Sequence, residues 1–177
     1  MLAKLEKIQP SDNIIAFPRI RRDVSTVHAL SQLWSENRSE SGLPHRGDIK
    51  IDDIKSHLKH LFLFDRLSPF DATIKMHGHG LTALFGHDIS GLPLSVMMTP
   101  SARLALRDIV SDMYMAQRPY NITLVDKGTM FGRNLKANLA LFPLANYAGQ
   151  ATKGIGVLIP DGNIKKKDYR FDIECIN

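Results

Sequence analysis

Leu58-Lys59-His60-Leu61-Phe62-Leu63-Phe64-Asp65, followed by Arg66-Leu67-Ser68-Pro69-Phe70-Asp71 and Ala72-Thr73-Ile74-Lys75-Met76, carries the decision between sheet and helix at the centre of this chain. Residues 61–64 are four apolar side chains in a row. A run that short suits a strand covered on both faces or lying at the middle of a sheet. Residues 65–69 hold Asp, Ser and Pro and turn the chain. Residues 72–76 supply a second strand, so the pair reads as an antiparallel hairpin.

Downstream, glycines punctuate the chain. Residues 78–86 hold one short helix that Gly86 terminates, and residues 87–91 make another brief turn. Residues 93–98 are compact and apolar. Thr99 and Pro100 then read as N-cap and first turn of a longer helix. Leu104, Leu106, Ile109, Val110, Met113 and Tyr114 are its apolar positions, and it stops before Pro119. Three strands follow, at 120–126, 133–143 and 154–160. In the second of them Leu135, Ala137, Leu139 and Leu141 alternate with Asn134, Lys136 and Asn138, a period of two.

Upstream, residues 52–60 read as a short helix with Ile51, Ile54 and Leu58 on one side. Before it, residues 23–41 form an amphipathic leading helix capped by Asp23, with Val24, Val27, Leu30 and Trp34 at helical spacing. That stripe must be covered, either by its own domain or by a second copy. Residues 1–22 have the turn-rich composition of a flexible arm. Residues 164–177 read as a solvated tail, with Tyr169, Phe171 and Ile173 able to supply one edge strand. The domain proper is therefore 23–163. It is an α+β unit with a five-stranded antiparallel sheet, helices on one face, and the leading helix in front.

Trp34, then Gly42-Leu43-Pro44 with Arg46 and Asp48, then the apolar first strand, resembles the opening of the small single-domain PAS family common in alphaproteobacteria. Gly78, Leu84-Phe85-Gly86 and Ile89-Ser90-Gly91-Leu92 resemble that family's next block, and Arg118-Pro119 resembles the close of its long helix. The likeness runs from about residue 27 to residue 160. His79 departs from it, because the family more often has Thr there. The resemblance implies the PAS fold and a sensory or regulatory module in signal transduction, not an enzyme. It implies a small ligand, or none, between the sheet and the central helices. It also implies dimerisation through the helix before the first strand, here Val24, Val27, Leu30 and Trp34, and association with other signalling proteins. By the same analogy, a ligand would be lined by Phe64, Met76, Leu81, Phe85 and Met97. Leu104, Tyr114 and Phe142 would complete the wall, with Asn138 as a polar contact.

Other chemistry finds less support. His77, His79 and His87, with Asp88, are the one cluster of metal-ligand type, yet Gly78 and Gly80 make that stretch a turn that scatters the rings. A metal-binding sensor or enzyme built on them is the alternative reading, and no metal is assigned. Residues 100–117 contain no histidine to serve as an axial haem ligand. The single cysteine, Cys175, lies far from the expected core, which disfavours a flavin-reactive thiol, and one thiol alone fits a reducing compartment. No cofactor is identified. The five methionines Met97, Met98, Met113, Met115 and Met130 read as adaptable core filling. Residues 1–23 carry five Lys/Arg against three Asp/Glu, and residues 164–177 carry four against three. The net charge of +5 is spread too thinly for a phosphate track, which disfavours a basic adaptor for nucleic acid. No signal peptide and no run long enough to span a membrane is visible, so the expected location is the cytoplasm.

Overall fold

The structure is a computed structural model. It describes residues 22–38, 42–126, 128, 134–164 and 168–177, and at 22–25, 51, 53, 56 and 57 the backbone alone. The expected arm at 1–22 and the basic run Lys165-Lys166-Lys167 lie almost wholly outside the described residues, as does the side chain of Val24.

Helix α1 spans Arg22–Glu36, and a 3₁₀ segment covers Ile51–His60. Strands β1 (Leu61–Ser68) and β2 (Asp71–His77) form the hairpin. Helix α2 spans His79–Phe85, a 3₁₀ turn covers Leu94–Met97, and helix α3 spans Arg103–Ala116. Strands β3 (Tyr120–Asp126), β4 (Leu135–Ala145) and β5 (Ala151–Asp161) follow, and then β6 (Asp172–Ile176). The sheet order is β2-β1-β5-β4-β3-β6, with every neighbouring pair antiparallel.

The expected α+β architecture is present, with three corrections. The sheet has six strands, not five, because β6 pairs with β3. Tyr169 and Phe171, just before it, are 4% and 0% exposed within the main core. The end of the chain is therefore part of the domain's core. Hydrogen bonds from Thr99 N–H to the Phe171 carbonyl (2.9 Å) and from Phe171 N–H to the Met97 carbonyl (3.0 Å) hold it there. The second correction is to α3, which begins at Arg103, not at Pro100. The Thr99 hydroxyl donates to the Asp172 carboxylate instead of capping the helix. The third concerns layers. α2 and α3 cover one face of the sheet, whereas α1 and the 3₁₀ segment cover the other.

Period-two alternation sorts the two layers. Ala137, Leu139 and Leu141 of β4 join Leu81, Phe85, Leu106 and Met113 in the inner core. Ala140, Phe142 and Leu144 join Leu30, Trp34 and Ile54 in the outer one. The leading helix thus spends its apolar stripe on its own sheet. Leu30 is fully buried, Trp34 is 4% exposed, and Val27 is half-buried against the same cluster. The Trp34 indole Nε1–H donates to the Pro143 carbonyl at 2.8 Å, and its ring centroid lies 6.3 Å from that of Phe142. Leu30 and Trp34 of the expected dimer seam are packed against β4 and β5 of their own sheet. One sheet edge is also covered, and β6 forms the other. Residues 91–93 bond to β2 through Ile74, and β6 closes the β3 side.

Truncating a fully buried aromatic typically costs about 3–5 kcal/mol. Phe171→Ala should lower stability in urea unfolding by that amount. A loss below about 1 kcal/mol, the range of an ordinary surface change, would show that the C-terminal segment is not core.

Candidate functional site

The interior between sheet and helices is organised by two glycines. Phe62 pairs with Gly156 and Phe64 with Gly154 across β1 and β5. A Cβ on Gly156 would stand 2.2 Å from Cζ of Phe62, and one on Gly154 the same distance from Cζ of Phe64. The two rings, 5.8 Å apart, therefore lie down on the bare β5 backbone. Both are 1% exposed.

Of the residues expected to line a ligand space there, Phe64, Leu81, Phe85, Met97 and Tyr114 are gathered in this inner core. Met76, Leu104, Phe142 and Asn138 do not face it. A β-bulge explains Met76: Phe64 pairs with Ile74 but Leu63 with Met76, so Lys75 is an extra residue that flips Met76 to the outer side. Leu104 lies on the solvent face of α3, 65% exposed. Phe142 and Asn138 belong to the outward-pointing set of β4. The Oδ1 of Asn138 is buried without a hydrogen-bond partner, as are Asn121 Oδ1 and the Tyr114 hydroxyl. Burial pushes the Tyr114 hydroxyl above its ordinary pKa, and the Arg66 guanidinium sits 5.0 Å over its ring.

Polar ties fasten the helical cluster. His77 Nε2 donates to Asp88 Oδ1 at 2.7 Å, joining the end of β2 to the loop after α2. The Ser90 backbone N–H and then His77 hold the Asp88 carboxyl down at about 2. His87 Nδ1 bonds the Phe85 carbonyl (2.9 Å), and His79 is exposed. His77 and His87 are thus separately engaged while His79 is exposed, and among the described residues no group of three metal-ligating side chains comes together. Beyond α3, Asp112 accepts from the Tyr120 hydroxyl and from Arg118 (2.9 Å). Those bonds, Tyr120's first, lower the Asp112 pKa. Arg118 thereby locks the turn from α3 into β3, where Gln117 sits at a positive φ of 51°.

The described cavities of note are on the outer face. The loop 43–48 is stitched to the end of β4: Ala145 N–H donates to the Pro44 carbonyl (2.9 Å), and His45 Nδ1 donates to the Asn146 carbonyl (2.9 Å). Within the loop the Asp48 carboxylate accepts the His45 backbone N–H at 2.8 Å. Arg46 is left over an apolar cleft of about 250 Å³ between the 3₁₀ segment and β1. Ile49, Ile54, Leu61, Leu63, Met76 and Ile155 are among its walls. A second cavity of about 300 Å³ adjoins Arg46 on its other side, with His45, Tyr147 and Lys153. Sequence reasoning singled out neither cavity. The signal for the first was the alternation of Leu61 and Leu63 with Phe62 and Phe64, which demands cover on both sides of β1.

A family model described as a PAS domain matches residues 22–159, and the chain belongs to that family. PAS domains are generally sensory signalling modules. Among curated proteins none matches the sequence. A light-oxygen-voltage domain solved with a flavin analogue is 14% identical, over 64% of this chain and 84% of that one, with a TM-score of 0.49. The Rhodobacter sphaeroides LOV protein is 14% identical over 64% and 67%, with a TM-score of 0.47. The PAS domain of Bordetella pertussis BvgS is 14% identical over 62% and 82%, with a TM-score of 0.46. At such values none of their ligands or activities carries over. No helix among the described residues is long and apolar enough to cross a membrane.

Gly156→Ala should destabilise the protein by about 1–3 kcal/mol, the usual cost of overpacking. Combining it with Phe62→Leu should recover part of that loss, measured as non-additivity in a double-mutant cycle; strict additivity would break the proposed ring-on-glycine contact. Asp88 has a depressed pKa, so its contribution to stability is complete above about pH 3.8 and fades as pH falls toward about 2. The stability difference between wild type and Asp88→Asn should therefore shrink over that window in acid titrations. A difference that stays constant through it would refute the assignment.

Proposed function

We propose that this chain is a regulatory PAS module that passes its signal by associating with another protein chain. The observation that carries this reading is the filled interior. Phe62, Phe64, Phe85, Met97 and Met113 are each at most 1% exposed in the space where such modules hold ligands. With that space occupied by its own side chains, the chain has its surfaces left for communication.

One surface suits a protein partner. Leu104 and Met115, 65% and 78% exposed, lie about three turns apart on α3 and so on one face. The Arg107 guanidinium sits 5.7 Å over the Phe70 ring, which joins that face to the β1–β2 turn, where Leu67 is 72% exposed. Clustered exposed apolar side chains commonly mark contact sites.

A photo-crosslinking residue placed at Leu104 or Met115, in the protein's own cells, should trap one discrete chain, either a second copy or a different protein. Leu104→Glu should abolish crosslinking from position 115 without loss of fold. No crosslink at either position, together with a stoichiometric cofactor in the native mass spectrum, would overturn the reading.

A further inference from the structure

At the outer-face cleft the Arg46 guanidinium has no carboxylate partner among the described residues. The described contact of the Arg46 guanidinium is with the Met76 sulfur, at 3.9 Å. The nearby carboxylates are engaged elsewhere. Asp48 holds the His45 backbone, and Asp65 pairs with Lys153 at 2.7 Å. Below Arg46 the walls are mainly hydrocarbon and thioether, with His77 and Gly78 beside Met76, and two apolar walls stay wet: Met76 is 57% exposed and Leu58 40%. Beyond Arg46 the second cavity adds His45 and Lys153, the latter already paired with Asp65. The site is therefore apolar at one end and carries the Arg46 guanidinium at the other.

From this polarity we infer that the cleft binds a single-chain amphiphile with an anionic head group. The alkyl chain lies against Leu61, Leu63 and Met76, where it displaces water from apolar surface. The head pairs with Arg46, whose planar fork of donors matches a carboxylate. Pockets for drug-sized or ring cofactors usually run to about 300–1,000 Å³. The cleft, about 250 Å³, is sized for one medium alkyl chain. It lies on the opposite side of the sheet from the space between sheet and helices. Its occupant would press on the 3₁₀ segment and the 43–49 loop, which pack beside α1.

Calorimetric titration of the full chain with decanoate, below its micelle concentration, tests this, with decanol as the uncharged probe. Saturable one-to-one binding of decanoate is expected, with decanol weaker. Arg46→Gln should weaken decanoate binding by about tenfold or more, as the loss of a charge-assisted contact does. Leu58→Glu, at an exposed wall position, should abolish it while circular dichroism stays native. Equal decanoate affinity in Arg46→Gln and wild type, equal affinity for decanol, or no binding to the folded wild type would each overturn the inference. None of these results touches the crosslinking result on α3, so the two readings fail separately.

Discussion

Two phenylalanine rings lying on two glycines are the contact on which the other packing depends. Because β5 presents no side chain at Gly154 and Gly156, Phe62 and Phe64 fold down onto its backbone. The rings then form a smooth floor on which Leu81, Phe85, Met97 and Met113 close. Any Cβ on those glycines would lift the rings into the helical layer, and close-packed interiors absorb such shifts poorly. The same strands carry the outer core on their alternate residues, Leu61 on β1 and Ile155 and Val157 on β5. The centre of the sheet is thus covered on both sides.

Around that centre the fold is closed at its margins by specific polar contacts. Trp34 ties α1 to the Pro143 carbonyl, and His77 with Asp88 fastens the loop after α2. Arg118, Asp112 and Tyr120 lock the exit from α3, while Asp172 gathers Thr99 and Ser101 beneath β6. Each joins residues from different elements, so each aligns a neighbour that hydrophobic packing alone would leave free to slide. Among the described residues, the exposed face of α3 and the cleft under Arg46 are two surface features that this packing leaves uncovered.

Most of the elements were legible in local pattern. The 61–64 run, the alternation along β4 and the glycine stop at Gly86, with its φ of 80°, announce strand, strand and helix end. The ordered succession of Trp34, Leu43-Pro44, Phe85-Gly86 and Arg118-Pro119 pointed to the family. The site was less legible. The exposure of Met76 follows from a bulge that no single strand announces. Phe142 and Leu104 are apolar like their inward neighbours, and only alternation and helical phase tell them apart. Arg46 and Asp48 stand two residues apart, but it is the backbone of His45 that claims the Asp48 carboxylate.

The amino-acid order alone determined most of the strands and helices, because period, caps and turn residues act within a few positions of each other. It also determined the family, and with it the kind of task the module performs. Only the tertiary structure decided what covers each apolar stripe. The α1 stripe and the Tyr169–Phe171 pair needed partners far away in the chain, β4 and β5 for one and the helical layer for the other. Periodicity says that a face must be buried, but contact across the chain says against what.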